Sequence, residues 1–231
     1  MTNPVSVKGP VSVEVAGLEL SRDGRSLFRE MSWKLPPGSL LAITGPSGIG
    51  KTSLLTSLRG ELEPTTGNFS LGNSERPTIG VIFQHLQLTE ELSVLTNVLC
   101  GKLGTYHWWQ TLLGFPDDDR QKAFEIISGL GLKDLVHKPV KHISGGEKQR
   151  TAVARVLLQY PDLILADEPT SNLDPALADA VMTALKHTCN TNGRSVIAVL
   201  HDRSLVDKFA DFELALTVEG NGWSFQEVTR K

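Results

Sequence analysis

The run Leu40-Leu41-Ala42-Ile43-Thr44, followed at once by Gly45-Pro46-Ser47-Gly48-Ile49-Gly50-Lys51-Thr52, constrains this chain more than any other feature. A strand that is apolar throughout, without polar alternation, suits a position buried on both faces of a parallel sheet. The eight residues after it fit Gly, four residues, Gly-Lys-Ser/Thr. In that pattern small residues let backbone N–H groups turn inward on phosphate oxygens, the lysine reaches the β and γ phosphates, and the hydroxyl serves Mg2+. Ser53, which closes the candidate phosphate-binding stretch, opens Ser53-Leu54-Leu55-Thr56-Ser57-Leu58, read as a helix whose N-terminal dipole points at the anion. A Gly-rich turn with an incidental lysine is the plainer alternative, and the flanking strand and helix weigh against it.

Comparable apolar runs recur at Ile79 to Phe83, Leu163 to Ala166 and Val196 to Leu200, with helical stretches between several of them, so the core reads as α/β. Ahead of that core, Val11, Val13 and Val15 alternate with polar or small residues. After a turn at Asp23-Gly24 the alternation resumes at Met31, Trp33 and Leu35, as in half-buried antiparallel strands. From Leu86 to about Tyr160 the strand signal fades into helices, among them Asp118 to Gly129 and Glu147 to Tyr160. The second sets Val153, Val156, Leu157 and Tyr160 on one face. Asp174 and Pro175 cap a further helix that runs to about Thr188, with Gly193 just beyond it, and the last fifteen or so residues read as terminal strands with a solvated tail.

Composition removes several function classes. In 231 residues, Lys plus Arg is 23 against 26 for Asp plus Glu, a formal charge of -3, which offers no net basic field for a nucleic-acid backbone. No apolar stretch approaches the roughly 20 residues of a membrane-spanning helix. MTNPVSVKGP lacks the basic start and apolar run of a secretory signal, so the expected place is the cytoplasm. Cys100 and Cys189 stand far apart without metal-ligand spacing, which argues against a disulfide framework and a zinc site.

A phosphate loop alone does not choose among GTPases, kinases, helicases and transport ATPases. Leu163-Ile164-Leu165-Ala166 ends in Asp167-Glu168, where a parallel sheet opens its ligand crevice. Asp167 can hold Mg2+ through its water shell and Glu168 can polarise an attacking water as general base; by itself, such a pair after a strand would read as a solvated helix cap. Ile143-Ser144-Gly145-Gly146-Glu147-Lys148-Gln149-Arg150 places a serine and two glycines at a helix start, a second anion-binding surface beside the plainer reading of Ser144 as an N-cap.

That octapeptide resembles the signature of ATP-binding cassette (ABC) ATPases, usually Leu-Ser-Gly-Gly-Gln, with Ile143 and Glu147 as departures. The resemblance runs from about Val11 to Thr217. It implies an α/β fold with a P-loop NTPase (RecA-like) core, an N-terminal antiparallel β subdomain and an inserted α-helical subdomain. On it, residues 1–231 are one domain, with 1–86 and 158–231 as core and β subdomain and 87–157 as the helical part. It also implies ATP and Mg2+ as ligands, and a second copy of the chain whose Ser144, Gly145 and Gly146 close over the nucleotide. Transmembrane permease subunits and, indirectly, a solute-binding protein follow as partners, with the chain peripheral on the cytoplasmic face of the inner membrane.

By the same resemblance Gln84 contacts Mg2+ and the attacking water, and Thr52 and Asp167 join it at the metal. Ser171-Asn172-Leu173-Asp174 runs along the dimer interface, and His201, the one histidine of six read as directly following a core strand, contacts the γ-phosphate. Arg22 falls where an aromatic usually stacks on adenine; a guanidinium can stack there too, in competition with simple exposure.

Asn97 to Gly104, Trp108-Trp109, Leu112-Leu113-Gly114-Phe115-Pro116 and Asp118-Asp119-Arg120 are similar to the insertion of phosphonate-type importer ATPases, a branch that Val181-Met182 and Leu200-His201 also fit. Pro169 to Asp174 is closer to the general cassette wording, and the tryptophans also suit simple packing of a small core. The alternatives are another importer, a lipid or lipoprotein extraction system, and a non-transport cassette. The last of these usually needs insertions or a tandem cassette for which this length leaves no room.

Overall fold

The computed structural model describes residues 11–22, 25–72, 77–107, 114–218 and 222–229. The predicted turn at Asp23-Gly24 and the segment with Trp108, Trp109, Leu112 and Leu113 lie outside the described residues. Strand β1 (Val13–Arg22) alternates buried and exposed positions and pairs antiparallel with β2 (Arg25–Leu35), setting Val13 opposite Leu35 and Val15 opposite Trp33. Strand β3 (Leu40–Thr44) follows, then helix α1 (Lys51–Leu58). Strand β4 (Thr66–Leu71) returns to the other edge of β1, which completes a three-stranded antiparallel sheet. Its largely exposed TGNFSL carries too weak an apolar pattern to be foreseen as a strand.

The core sheet adds β5 (Ile79–Ile82), and the chain then leaves it for helices α2 (Val94–Leu99), α3 (Asp117–Gly129) and α4 (Gly145–Gln159). It returns through β6 (Leu163–Ala166), α5 (Pro175–Asn192), β7 (Ser195–Val199), α6 (Arg203–Phe209), β8 (Phe212–Leu216) and β9 (Trp223–Glu227). The strand order is β5-β6-β7-β3-β8-β9, parallel except for β9, which pairs antiparallel with β8. Continuous apolar runs are needed here because successive residues enter different cores. Leu40, Ala42, Ile164, Ala166, Val196 and Ala198 pack with the helices α4, α5 and α6. Leu41, Ile43, Leu163, Leu165, Ile197 and Val199 pack against α1 and the antiparallel sheet.

The helix limits follow local signals. Asp174 accepts from the backbone N–H groups of Ala176 and Leu177, Pro175 takes the first helical position, and Gly193 ends the helix in the left-handed region, several residues beyond the expected Thr188. One expectation fails at Tyr160. It is the left-handed C-cap of α4, 50% exposed, and not part of the buried face formed by Val153 and Val156. Pro161 follows it, so the helix cannot continue, and the ring instead lies under the Arg194 guanidinium, 3.4 Å from the centroid. Among the described residues no helix is long and apolar enough to cross a membrane.

The start of α3 is tied to the preceding 3-10 turn by the Tyr106 hydroxyl, which donates to the Asp119 carboxylate. Burial, then this hydrogen bond and the nearby acids, push the phenol from 10.0 up to about 12. A raised folded-state pKa stabilises the fold fully below pH 10, and that stability is lost as pH rises through the interval up to about 12. In alkaline unfolding titrations, Tyr106→Phe should therefore lose less stability than the parent chain between those two pH values.

Candidate functional site

The carboxyl ends of β3, β5, β6 and β7 come together on one edge of the core sheet, and every strand-end residue singled out in the sequence sits there. The loop from Gly45 through Pro46, Ser47, Gly48 and Ile49 to Gly50 leaves β3. Two of its glycines are obligatory. Gly45 has φ 139 and a Cβ there would meet the Leu216 carbonyl oxygen at 2.6 Å; Gly50 has φ 114 and a Cβ would meet the Phe28 ring at 2.9 Å. As N-cap, Gly50 brings no side chain, so no side-chain acceptor caps α1, whose first turn holds Lys51, Thr52 and Ser53. An uncapped helix start beside a wrapped loop is a fit for phosphate oxygens.

Lys51 folds back over this loop and donates to the carbonyls of Gly45 at 2.8 Å and Pro46 at 2.9 Å. Burial lowers its pKa, and Glu168 and Asp167 partly offset that. Asp167 is itself buried, which raises its carboxyl, while a hydrogen bond from Thr52 lowers it. Thr52, Gln84 and Asp167 line one cavity of about 160 Å3 beside α1. One carboxylate, one hydroxyl and one amide suit a hard cation that brings its own waters and phosphate oxygens, as Mg2+ does. His85, read as a surface or packing residue, is exposed but lines the same cavity.

Glu168 adopts φ 54, a strained value for a side-chain-bearing residue. Its carbonyl is fixed by the Ser171 hydroxyl at 3.0 Å and the Gln149 amide at 3.2 Å, and its carboxylate lies 2.8 Å from His201 Nε2. Gln149, 4% exposed in α4, was quoted in the sequence motif without a role. Arg155 was missed altogether. From α4 it donates to the carbonyls of Leu86 at 2.9 Å and Gln87 at 2.7 Å, and so anchors the segment after Gln84, where Gln87 stands at φ 48.

At the second anion-binding surface, Ser144 caps α4. Its hydroxyl oxygen accepts from the Glu147 N–H at 3.3 Å, and the Glu147 carboxylate accepts from the Ser144 N–H at 2.7 Å. This backbone hydrogen bond lowers the Glu147 pKa despite partial burial, and it keeps the carboxylate that departs from the usual signature glutamine folded back on the helix start. The Ser144 hydroxyl hydrogen remains available to donate. Gly145 has open space around it, and Gly146 packs on Leu173 and the Asn172 carbonyl. Arg22 reaches the loop from the end of β1, with its guanidinium 3.4 Å from the Ser53 hydroxyl.

The sequence profile described as ABC transporter matches residues 28–171. The chain belongs to the ABC transporter family. This cassette is 38% identical over 216 residues to the phosphonates import ATP-binding protein of Trichormus variabilis, covering 88% of each chain. It is 39% identical over 208 residues to the protein of that name from Bdellovibrio bacteriovorus, covering 84% of this chain and 80% of the relative. Among solved structures, an ABC transporter described as of the metal-chelate type, in an inward-facing conformation, superposes with a TM-score of 0.80. The match has 27% identity and covers 94% of the cassette and 84% of that chain.

The loop geometry makes one structural prediction. Gly50→Ala forces a side-chain-bearing residue into φ 114 against Phe28 and should destabilise the chain by about 1–3 kcal/mol, read from urea unfolding midpoints at constant m.

Proposed function

We propose that this chain is the ATP-hydrolysing, nucleotide-binding subunit of an ABC importer for phosphonate or a related phosphorus oxyanion. The observation that carries the hydrolytic reading is the convergence of Lys51, the Thr52–Asp167 pair and the Glu168–His201 pair on one edge of the parallel sheet. The cargo reading is supported by the names of the relatives that match most of the chain. On this reading residues 1–86 and 158–231 form the nucleotide-binding core and 87–157 the helical part. Its partners are a second copy, membrane permease subunits and, through them, a solute-binding protein, with the cassette peripheral on the cytoplasmic face of the membrane.

ATP is held by the loop from Gly45 to Ser53, with Arg22 beside the loop where the base would lie. Lys51 exchanges its two loop carbonyls for the β and γ phosphates, a swap that its buried setting favours because the ammonium there is short of solvation. Thr52, Asp167 and Gln84 would hold Mg2+, which when bound would supply neutralisation of phosphate charge. Glu168 accepts the proton of the attacking water, and the bonds to its carbonyl from Gln149 and Ser171 fix the backbone from which that carboxylate acts. His201 leaves Glu168 to donate to the γ-phosphate. Ser144, Gly145 and Gly146 of the second copy add donors to its equatorial oxygens. Because the second copy completes the site, nucleotide favours the closed pair and hydrolysis releases it.

Two variants should separate binding from chemistry. Lys51→Ala removes a charged contact worth about 1.5–3 kcal/mol and should weaken ATP binding by roughly tenfold or more in equilibrium titration. Glu168→Gln should keep ATP affinity, accumulate as a dimer on size exclusion with ATP, and turn over at under about 1% of the parent rate. Cargo is tested in proteoliposomes carrying the complete transporter. Phosphonate with its binding protein should stimulate hydrolysis, and stimulation by a metal chelate in its place would reject the phosphorus-oxyanion assignment.

A further inference from the structure

Glu213 lies on β8 with 3% of its surface exposed, and no step above uses it. Its carboxylate is nonetheless densely bonded. The Thr44 hydroxyl donates to Oε1 at 2.8 Å, Arg203 Nη1 sits 2.7 Å from both oxygens, and the Gln226 amide donates to Oε2 at 3.2 Å. Arg203 Nη2 holds Asp207 one turn along α6 at 2.8 Å. Burial alone would raise the Glu213 carboxyl, but the donors from Arg203, Thr44 and Gln226 outweigh it and hold it below the usual range.

The partners of this carboxylate are the informative part. Thr44 ends β3 and directly precedes Gly45, whose carbonyl accepts from Lys51. Arg203 opens α6, just after His201 and Asp202. On the other side of His201, the Leu200 N–H donates to the Ile43 carbonyl at 3.1 Å. The exposed pair His201-Asp202 is thus suspended between two fixed points. One ends on Ile43 directly, and the other ends on Thr44 through Arg203 and Glu213. Both fix it to the strand that launches the phosphate loop.

We propose that Arg203 and Glu213 are positioning residues, a polar brace that sets His201 relative to the phosphate loop; this rests on the hydrolytic reading above. An ion pair between a buried carboxylate and a guanidinium that is 59% exposed is a poor source of net stability, since desolvation of Glu213 and solvent screening of Arg203 offset most of the attraction, and an apolar pair of similar volume often does as well. Its particular property is direction. A carboxylate taking a guanidinium nitrogen on both oxygens and a hydroxyl on one fixes distance and angle between the two loops in a way that apolar packing does not. Among the described residues the His201 side chain has one polar partner, Glu168, and on the proposed function that bond is given up when Glu168 turns to water.

The test compares ATP turnover, nucleotide affinity and melting temperature of the full-length chain with those of Arg203→Leu, Arg203→Lys, Thr44→Val and the double variant Arg203→Leu/Glu213→Leu. Arg203→Leu alone leaves a buried carboxylate without its cation and should lose both stability and turnover. The double variant should recover the melting temperature. Its kcat should still fall about tenfold with nucleotide affinity within about twofold, as expected of a misplaced catalytic group. Arg203→Lys, which keeps a cation on Glu213, should retain most of the turnover. Thr44→Val is nearly isosteric and should lower kcat several-fold without unfolding. Parental kcat in a folded double variant overturns the brace, and parental kcat in Thr44→Val overturns it even where the double variant does not fold. A parent chain that neither binds nor hydrolyses ATP would reject the hydrolytic reading instead, an outcome distinct from a parent that turns over and variants that match it.

Discussion

The direction of four strands governs this molecule. Because β3, β5, β6 and β7 are parallel neighbours, Gly45, Gln84, Asp167 and His201 all emerge at the same edge, although they are scattered across more than half of the sequence. A parallel sheet must be covered on both faces, and the cover also does chemical work. On one face α1 follows the phosphate loop directly; on the other, α4 starts at Ser144 and sends Gln149 and Arg155 back to the site. The requirement that buries the sheet therefore also brings the remote helix start and the strand ends into one bonded unit.

That unit holds backbone in conformations it would not adopt alone. Glu168 at φ 54 and Gln87 at φ 48 are side-chain-bearing residues in the left-handed region, each fixed by side chains that reach its own carbonyl. Strain of this kind persists only where the surroundings over-determine it. Two of these three supports, Gln149 and Arg155, belong to α4, so a rotation of that helix changes the setting of Glu168 and of the segment after Gln84 together. On the function proposed above, a second copy closing on Ser144 to Gly146 would have a mechanical route to both residues, carried by two side chains and one helix.

Much of this was legible in the sequence, for reasons that differ by element. Doubly buried strands announce themselves as apolar runs, and Leu40 to Thr44, Leu163 to Ala166 and most of Val196 to Leu200 are strands as expected. The phosphate loop and the caps of α4 and α5 were readable because each needs particular residue types at fixed spacing. β4 was not, since an edge strand with exposed polar residues leaves no periodic trace. Tyr160 misled because 3.6-residue spacing extends a helix face on paper past the point where Pro161 stops the backbone. The branch resemblance drawn on Trp108, Trp109, Leu112 and Leu113 gains support from the matched relatives.

The residues that sequence reading missed share one physical character. Gln149, Arg155, Arg203 and Glu213 act through bonds to groups far away in the chain, 19, 68, 10 and 169 residues distant for Glu168, Gln87, Glu213 and Thr44 respectively. A motif records a local need, such as a turn that only glycine can make or an anion that only a helix start can hold. A tertiary hydrogen bond records a need shared by two places, and nothing at either place alone reveals it. Glu213 shows this sharply. Read along β8 it is an acid in the apolar stretch Phe212–Leu216, a local defect; in three dimensions it is the point where the strand leading into the phosphate loop meets the helix that follows His201. Local rules fail where a polar group is buried, and for that reason such a failure, once the fold is known, is a good place to look for what positions the chemistry.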